Sequence, residues 1–407
     1  MGDVVTTTQE KRHSRRSLKS FLVCFSTHTT QCQKKLKWIH HTRFIVVTKT
    51  CCLLIRITTA SLLRMSLNLN NNSRFSLYVK SRTLLFFTLI AMFISACDSK
   101  QGSQGESETK KLSYPYKIVT TCGMVTDIVQ QVVGDYAVVE GLMGEGVDPH
   151  LYRPTRDDVE KLSKANVIFY SGLMLEGRMG DTFAKMSRKG TKVYAVTELL
   201  QDDYLMEPEE FEGHWDPHVW NDVAAWMSAV QAVAKSLGEI DPKNAIIYQK
   251  NADIYLVELK NLHDYAKKCI GTIPEKQRVL ITAHDAFGYF SRAYGIKVMA
   301  AQGVTTISEA AISDINRLVD FISSNDVKAI FVEHTVSDRN LKAVLEGVEA
   351  KGKIIEIGGM LYSDAMGRPG TYEGSYIGMM DHNVTLVTRK LGGEAPEKGL
   401  NGKLSWE

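Results

Sequence analysis

The chain is 407 residues long, 44% hydrophobic and 23% charged, the balance of an ordinary soluble globular protein with ample apolar material for a core. The formal net charge of +3 hides two opposed parts: residues 1–96 carry 15 Lys/Arg against 2 Asp/Glu, whereas residues 97–407 carry 34 against 44, a net of −10. An acidic surface gathers cations and repels nucleic-acid phosphates, so it permits a cationic ligand and argues against a nucleic-acid partner.

The change of sign falls at a processing signal. Lys80 and Arg82 precede an apolar run from Leu84 to Phe93, and Ile94-Ser95-Ala96-Cys97 follows it. A basic n-region, an h-region and small residues before a cut define a signal peptide over residues 65–96. The run is shorter than the about 20 residues a bilayer span needs. Cys97, directly after the small residues, resembles the lipidated first residue of a bacterial lipoprotein; the alternative is a plain secretory signal with an incidental cysteine. Either way the product faces outward. Residues 1–64 fit no part of this scheme. They are either untranslated, with Met65 as the start, or an extension whose basic, acid-poor composition also suits an organellar transit peptide.

Residues 97–112, rich in Ser, Gly, Gln, Glu and Lys, read as a flexible tether. Short β-rich runs then alternate with helical patterns: Lys117–Thr120, Val167–Tyr170 and Lys192–Val196 are expected strands, the signature of a mostly parallel sheet. Thr155, followed by Asp157 and Asp158, opens one connecting helix, with a hydroxyl cap and acids in the first turn. The stretch from Pro242 to Ile270 has no Gly or Pro after its first residue. As one helix it would be on the order of 40 Å long; the alternative is two helices broken near Asn251. A second series of strands is expected at Val279–Thr282, Ile296–Val298, Ala329–Val332 and Lys353–Ile357, with a helical stripe at Ile312, Ile315, Leu318, Val319 and Ile322. Cys122 and Cys269, far apart, read as buried small hydrophobes, and Trp220 and Trp226 as core.

One tripeptide, Asp-Pro-His, occurs twice, at Asp148-Pro149-His150 and Asp216-Pro217-His218. Proline fixes its own φ and pushes the preceding Asp toward an extended conformation, so each imidazole is presented from a constrained turn and loses little freedom on binding a metal. Asp148 and Asp216 are candidates to steady those loops or to accept a ring N–H. A third imidazole, His284, follows the strand Val279–Thr282, at the carboxyl end where ligands collect in parallel sheets. Asp364, beyond the glycine-rich turn after the last strand, supplies a carboxylate. Three imidazoles and one carboxylate suit zinc, and also manganese or iron(II) if Asp364 binds through both oxygens.

At these residues the chain resembles the metal-binding lipoproteins of zinc/manganese/iron ABC importers, the cluster A-I solute-binding proteins. The segments that carry the likeness are Gly146–His150, Asp216–Trp220, Thr282–Phe290, Ile307-Ser308-Glu309-Ala310 and Leu361–Asp364. The resemblance implies an α/β fold of two lobes, each with a mostly parallel sheet flanked by helices, joined by one long rigid helix. The metal would sit between the lobes on His150, His218, His284 and Asp364. The implied organisation is an amino-terminal lobe at 113–241, a linking helix at 242–271 and a carboxyl-terminal lobe at 272–407. A membrane permease of the ABC type is the implied partner, served by a monomer anchored through Cys97 outside the cytoplasmic membrane.

Within that family the third ligand separates subgroups, so the resemblance implies that histidine here, at His284, leans toward zinc or mixed zinc/manganese use, although the acidic loop 201–213 lacks the histidine-rich insertion of many zinc members. Glu309 and Glu333 are candidates to hydrogen-bond the ligands, or else to cap a helix or pair with a surface cation. His214 reads as a solvated loop residue, and His263, His334 and His382 as ordinary surface or helix residues. Two other functions compete: a secreted metallohydrolase, which needs an open coordination position, and a surface adhesin.

Overall fold

The computed structural model describes residues 112–406; the expectations for residues 1–111, including the signal peptide, the lipidated Cys97 and nearly all of the tether, lie outside them. The first lobe is built on four strands, β1 (Tyr116–Thr120), β2 (Ala137–Gly141), β3 (Val167–Tyr170) and β4 (Lys192–Ala195), ordered β2-β1-β3-β4 and parallel throughout. Helices α1 (Gly123–Val133), α2 (Arg156–Lys164) and α3 (Gly180–Arg188) connect them. The expected strands coincide with β1, β3 and β4 to within a residue, but β2 has no counterpart among them. It is a short edge strand that buries little beyond Ala137 and leaves Val138 exposed, so its sequence lacks the apolar run of an interior strand.

Helix α2 starts where its chemistry dictates. Thr155 Oγ1 accepts from the backbone N–H of Asp158, and Asp158 Oδ2 accepts from the N–H of Thr155 at 2.7 Å, a reciprocal capping box. Tyr152 donates to the same carboxylate oxygen.

A loop of short helical turns leads to α4 (Val223–Ile240) and then α5 (Ala245–Thr272), which is continuous over 28 residues and has no break at Asn251. Pro242 is not part of it: the proline lies in the turn between the two helices, where Asp241 accepts from Asn244 and Tyr248. Buried Tyr248, Ala252, Tyr255, Leu259, Leu262, Ala266 and Ile270 recur at three- and four-residue spacing along one face of α5. Near its start Asn251 donates to Val132 O and Tyr255 to Asp127, both on α1. Near its end the Tyr265 hydroxyl lies 2.7 Å from Thr385 Oγ1 of the last helix.

The second lobe contains β5 (Val279–His284), α6 (Gly288–Tyr294), β6 (Lys297–Gln302), α7 (Ile312–Ser324), β7 (Ala329–Glu333), α8 (Arg339–Ala350), β8 (Glu356–Leu361) and α9 (Tyr376–Lys390). Parallel pairs β5-β6 and β7-β8 lie side by side through β5 and β7. Strand β8 begins three residues later than expected, leaving Ile354 96% exposed, because the paired segment is the glycine-containing one. A Cβ on Gly358 would lie 2.7 Å from the Phe331 ring, and Gly359 has φ +139° against Leu386. Only glycine fits both requirements. On α7 the stripe is buried at Leu318, Val319 and Ile322, whereas Ile312, at the helix start, is 77% exposed.

One continuous core runs through both lobes, from Ile118 and Phe169 through Trp220, Trp226 and Tyr255 to Phe287, Phe331 and Tyr376; a smaller one lies under α7 and α8. Cys122 and Cys269 are both buried and free. Among the described residues no helix is long and apolar enough to cross a membrane.

Candidate metal centre

Both Asp-Pro-His copies fold into the same local turn. Asp148 Oδ1 accepts from the backbone N–H of His150 at 2.8 Å, and Asp216 Oδ1 accepts from that of His218 at 2.9 Å. The tripeptide therefore encodes a carboxylate-closed turn that aims the imidazole, an interaction local enough to form wherever the sequence occurs. His284 is the last residue of β5, and Asp364 lies three residues beyond the end of β8, so both project from the carboxyl ends of their strands.

The four side chains meet. One donor atom from each of His150, His218, His284 and Asp364 lies within 4.8 Å of every other, and all four residues are buried. The Nε2 atoms of His150 and His218 are 3.2 Å apart. His284 Nε2 is 3.2 Å from Asp364 Oδ2, His150 Nε2 is 3.6 Å from the same oxygen, and His218 Nε2 is 3.5 Å from Oδ1. Donors placed tetrahedrally about 2.0–2.1 Å from a zinc ion would be separated by about 3.3–3.4 Å, and these distances bracket that figure. His284 Nε2 and both Asp364 oxygens are buried without a hydrogen-bond partner. Buried polar atoms without partners are costly, and a cation at their centre satisfies all of them at once.

Carboxylates behind the imidazoles fix their orientation. Asp216 Oδ1 is 2.7 Å from His218 Nδ1, and Glu333 Oε2 is 2.5 Å from His284 Nδ1, so in each ring the Nδ1–H donates outward and Nε2 faces the centre, where it binds a metal once any proton on it is displaced. Glu333 Oε1 also accepts from the backbone N–H of His284. Asp148 takes a different role: its second oxygen accepts from Thr306 Oγ1 at 2.6 Å, and it steadies the His150 turn without reaching a ring nitrogen. Glu309 does not belong to the site. Its side chain is 82% exposed and pairs with Arg339, because the loop that carries it points the carboxylate into solvent.

Charge is distributed unevenly among the four. Burial, together with the neighbouring imidazoles, pushes His150 down to about 3, against the pull of Asp364. Burial also opposes protonation of His284, but the Glu333 and Asp364 carboxylates overcome it and hold this histidine well above its ordinary value. Asp364 is held far below the usual carboxylate range, the imidazoles of His284, His218 and His150 outweighing its desolvation. The centre is thus a compact anionic acceptor facing nitrogen donors, suited to a divalent cation.

Of the remaining histidines, His214 is exposed in its loop. His334 is mostly buried, 3.6 Å from Glu145, and His263 is half-buried against Tyr294. His382 lies on α9 as a helix residue, half-buried between Tyr362 and Trp406 and in contact with Met360 O. Residues that sequence reasoning missed tie the site together. Trp220 Nε1 donates to Ser363 O beside Asp364, Asn221 Nδ2 donates to Ala286 O beside His284, and the Tyr289 hydroxyl donates to Asp216 O.

Over residues 118–389 the chain matches the family model described as zinc-uptake complex component A, periplasmic. The chain belongs to that family. It is 39% identical over 303 residues to the manganese-binding lipoprotein MntA of Bacillus subtilis, a match covering 74% of this chain and 98% of the relative. It is 43% identical over 274 residues to the zinc-binding protein TroA of Treponema pallidum, covering 67% of this chain and 88% of the relative. A solved TroA structure superposes with a TM-score of 0.66 over 68% of this chain and 99% of that one. The Fe(III)-bound YtgA of Chlamydia trachomatis, 30% identical, superposes with a TM-score of 0.62 over 69% of this chain and 100% of that one. The α/β fold of two lobes and a long joining helix is the architecture of this family.

Proposed function

We propose that the chain captures Zn2+ or Mn2+ outside the cytoplasmic membrane and delivers it to an ABC-type permease, with His150, His218, His284 and Asp364 as the ligands. The observation that carries this reading is the convergence of four buried donors from distant parts of the sequence at separations fitting one small cation. Names such as zinc-binding TroA and manganese-binding MntA support the choice of ions, and Fe(III)-bound YtgA keeps iron as a further cargo. Both Asp364 oxygens face the centre, which accommodates a four-coordinate zinc ion or, with bidentate binding, a manganese ion of higher coordination.

The protein acts as a carrier and not as an enzyme: with Asp364 as fourth ligand a tetrahedral ion keeps no open position for a reacting water. An adhesin reading gains no support from any feature of the site. Residues 113–241 and 272–407 are the two lobes and 242–271 the linking segment, working as a monomer. Cys97 carries the lipid anchor directly behind a signal at 65–96 and begins a tether at 97–112.

Equilibrium dialysis followed by metal analysis tests the assignment. One tightly held zinc or manganese ion per chain is expected, with affinity lowered by several kcal/mol in His218→Ala, where water must replace a ligand. Stoichiometric binding that is indifferent to this substitution would remove His218 from the ligand set, and no binding would end the proposal.

A further inference from the structure

The four ligands are not held with equal firmness. His218, His284 and Asp364 are bound to one another across the lobes by buried hydrogen bonds: Trp220 to Ser363 O at 2.8 Å, Asn221 to Ala286 O at 2.9 Å, Tyr289 to Asp216 O at 3.0 Å and Tyr376 to Trp220 O at 2.7 Å. Each secures a loop that carries a ligand or packs against one, and none of them is near solvent. These three ligands form a single rigid block.

His150 lies outside that block. Its turn is closed by Asp148, and among the described residues a side-chain hydrogen bond from Thr306 Oγ1 to Asp148 Oδ2 ties this turn to the second lobe, with the looser contact of His334 to Glu145 at 3.6 Å just before it. Thr306 is half-exposed, in the loop between β6 and α7, immediately before the Ile307–Ala310 segment that the sequence singles out. That loop is anchored in turn: Gln302 Nε2 donates to Thr306 O and Ser308 O, and Gln302 pairs in register with His284. A cleft of about 240 Å³ opens beside the contact, lined by Asp148, Leu151, Gln302, Thr306 and Arg339 among others, so water reaches this bond before any of the buried ones.

We infer that Thr306 is a positioning residue that latches the His150 turn, through Asp148, and that cargo leaves by release of this latch and withdrawal of His150 while the other three ligands stay in place. The inference rests on the proposed metal-carrier function. A part-buried hydrogen bond to a carboxylate is worth enough to set a rate and weak enough to open repeatedly, whereas the buried set on the other side cannot open without exposing core. The wide lobe closure of a flexible hinge is not required, because one turn moves.

The test uses the full chain. Metal release into excess chelator is followed by stopped flow for wild type, Thr306→Val, which keeps the shape and removes the hydroxyl, and Thr306→Ser, which restores it. Thr306→Val is expected to release zinc roughly tenfold faster, with Thr306→Ser close to wild type. Hydrogen exchange on the zinc-loaded proteins provides the second readout: protection in Thr306→Val should fall over residues 146–152 and stay unchanged over 216–221 and 282–286. An unchanged release rate, or protection lost equally in all three segments, overturns the latch. Failure of wild type to bind zinc or manganese at all overturns instead the functional reading beneath it.

Discussion

Glu333 grips His284 at two points, one carboxylate oxygen 2.5 Å from the ring Nδ1 and the other 2.8 Å from the backbone nitrogen of the same residue. A carboxylate so placed fixes the tautomer, orients the ring and makes Nε2 a stronger donor. Glu333→Gln keeps the shape and removes the charge. Zinc affinity is expected to fall about 10- to 100-fold, measured by competition with a chromophoric chelator. An affinity within twofold of wild type would reduce Glu333 to a packing role.

Proton release on binding follows from the same pair. His284 is held well above its ordinary value by Glu333 and Asp364, so in the metal-free protein near neutrality it carries a proton, whereas His150, pushed down to about 3, carries none. A metal must displace the His284 proton, so lowering the pH favours the metal-free form and weakens binding; raising it strengthens binding until His284 is neutral by itself. Titration calorimetry in buffers of different ionisation enthalpy should register about one proton released per ion from these two groups near pH 7. Proton uptake would contradict the sign.

Loading should stabilise the fold. A ligand that binds only the folded state adds about 2.7 kcal/mol at one hundred times its Kd. Thermal denaturation is expected to shift upward with zinc or manganese and to return on adding chelator. An unshifted midpoint at saturating metal would show that the four donors do not bind in the folded state.

Outside the site, the capping box of α2 gives a stability prediction. Burial would raise the Asp158 carboxyl, but hydrogen bonds from Thr155 and Tyr152 outweigh it and hold the group below its ordinary value. A depressed folded value means that the contribution is complete above the unfolded value of about 3.9 and is lost as pH falls through the lower folded one. Asp158→Ala should therefore cost about 1 kcal/mol in denaturant titrations at pH 7, with the difference from wild type shrinking below about pH 4. An equal difference at pH 7 and pH 3 would argue against the carboxylate as its source.

How much of this was legible in the sequence depended on how local each interaction is. The Asp-Pro-His turns close between residues two apart, so the peptide itself announces them, and the β-branched runs at β1, β3 and β5 name their own conformation. Thr306 and Asp148 are 158 residues apart, and Trp220 and Ser363 are 143 apart. No periodicity marks such pairs, because their meaning exists only once the lobes are assembled. Glu309 is the complementary case: the sequence left a hydrogen bond to the ligands and a surface ion pair both open, and the side chain is turned outward to Arg339. The late start of β8 reflects Gly358 and Gly359, whose value lies in what would collide with a side chain there, a property the residues themselves do not advertise.

Helix α5 contributes a buried face to both halves of the molecule, with Tyr255 bonded to Asp127 of α1 and Tyr265 meeting Thr385 of α9. Neither half owns a complete interior without this shared shaft. Folding should accordingly be all-or-none: a single calorimetric transition for the whole, and no soluble product when the gene is cut on either side of the helix. The carrier can evolve new cargo by altering loops, but it cannot be divided.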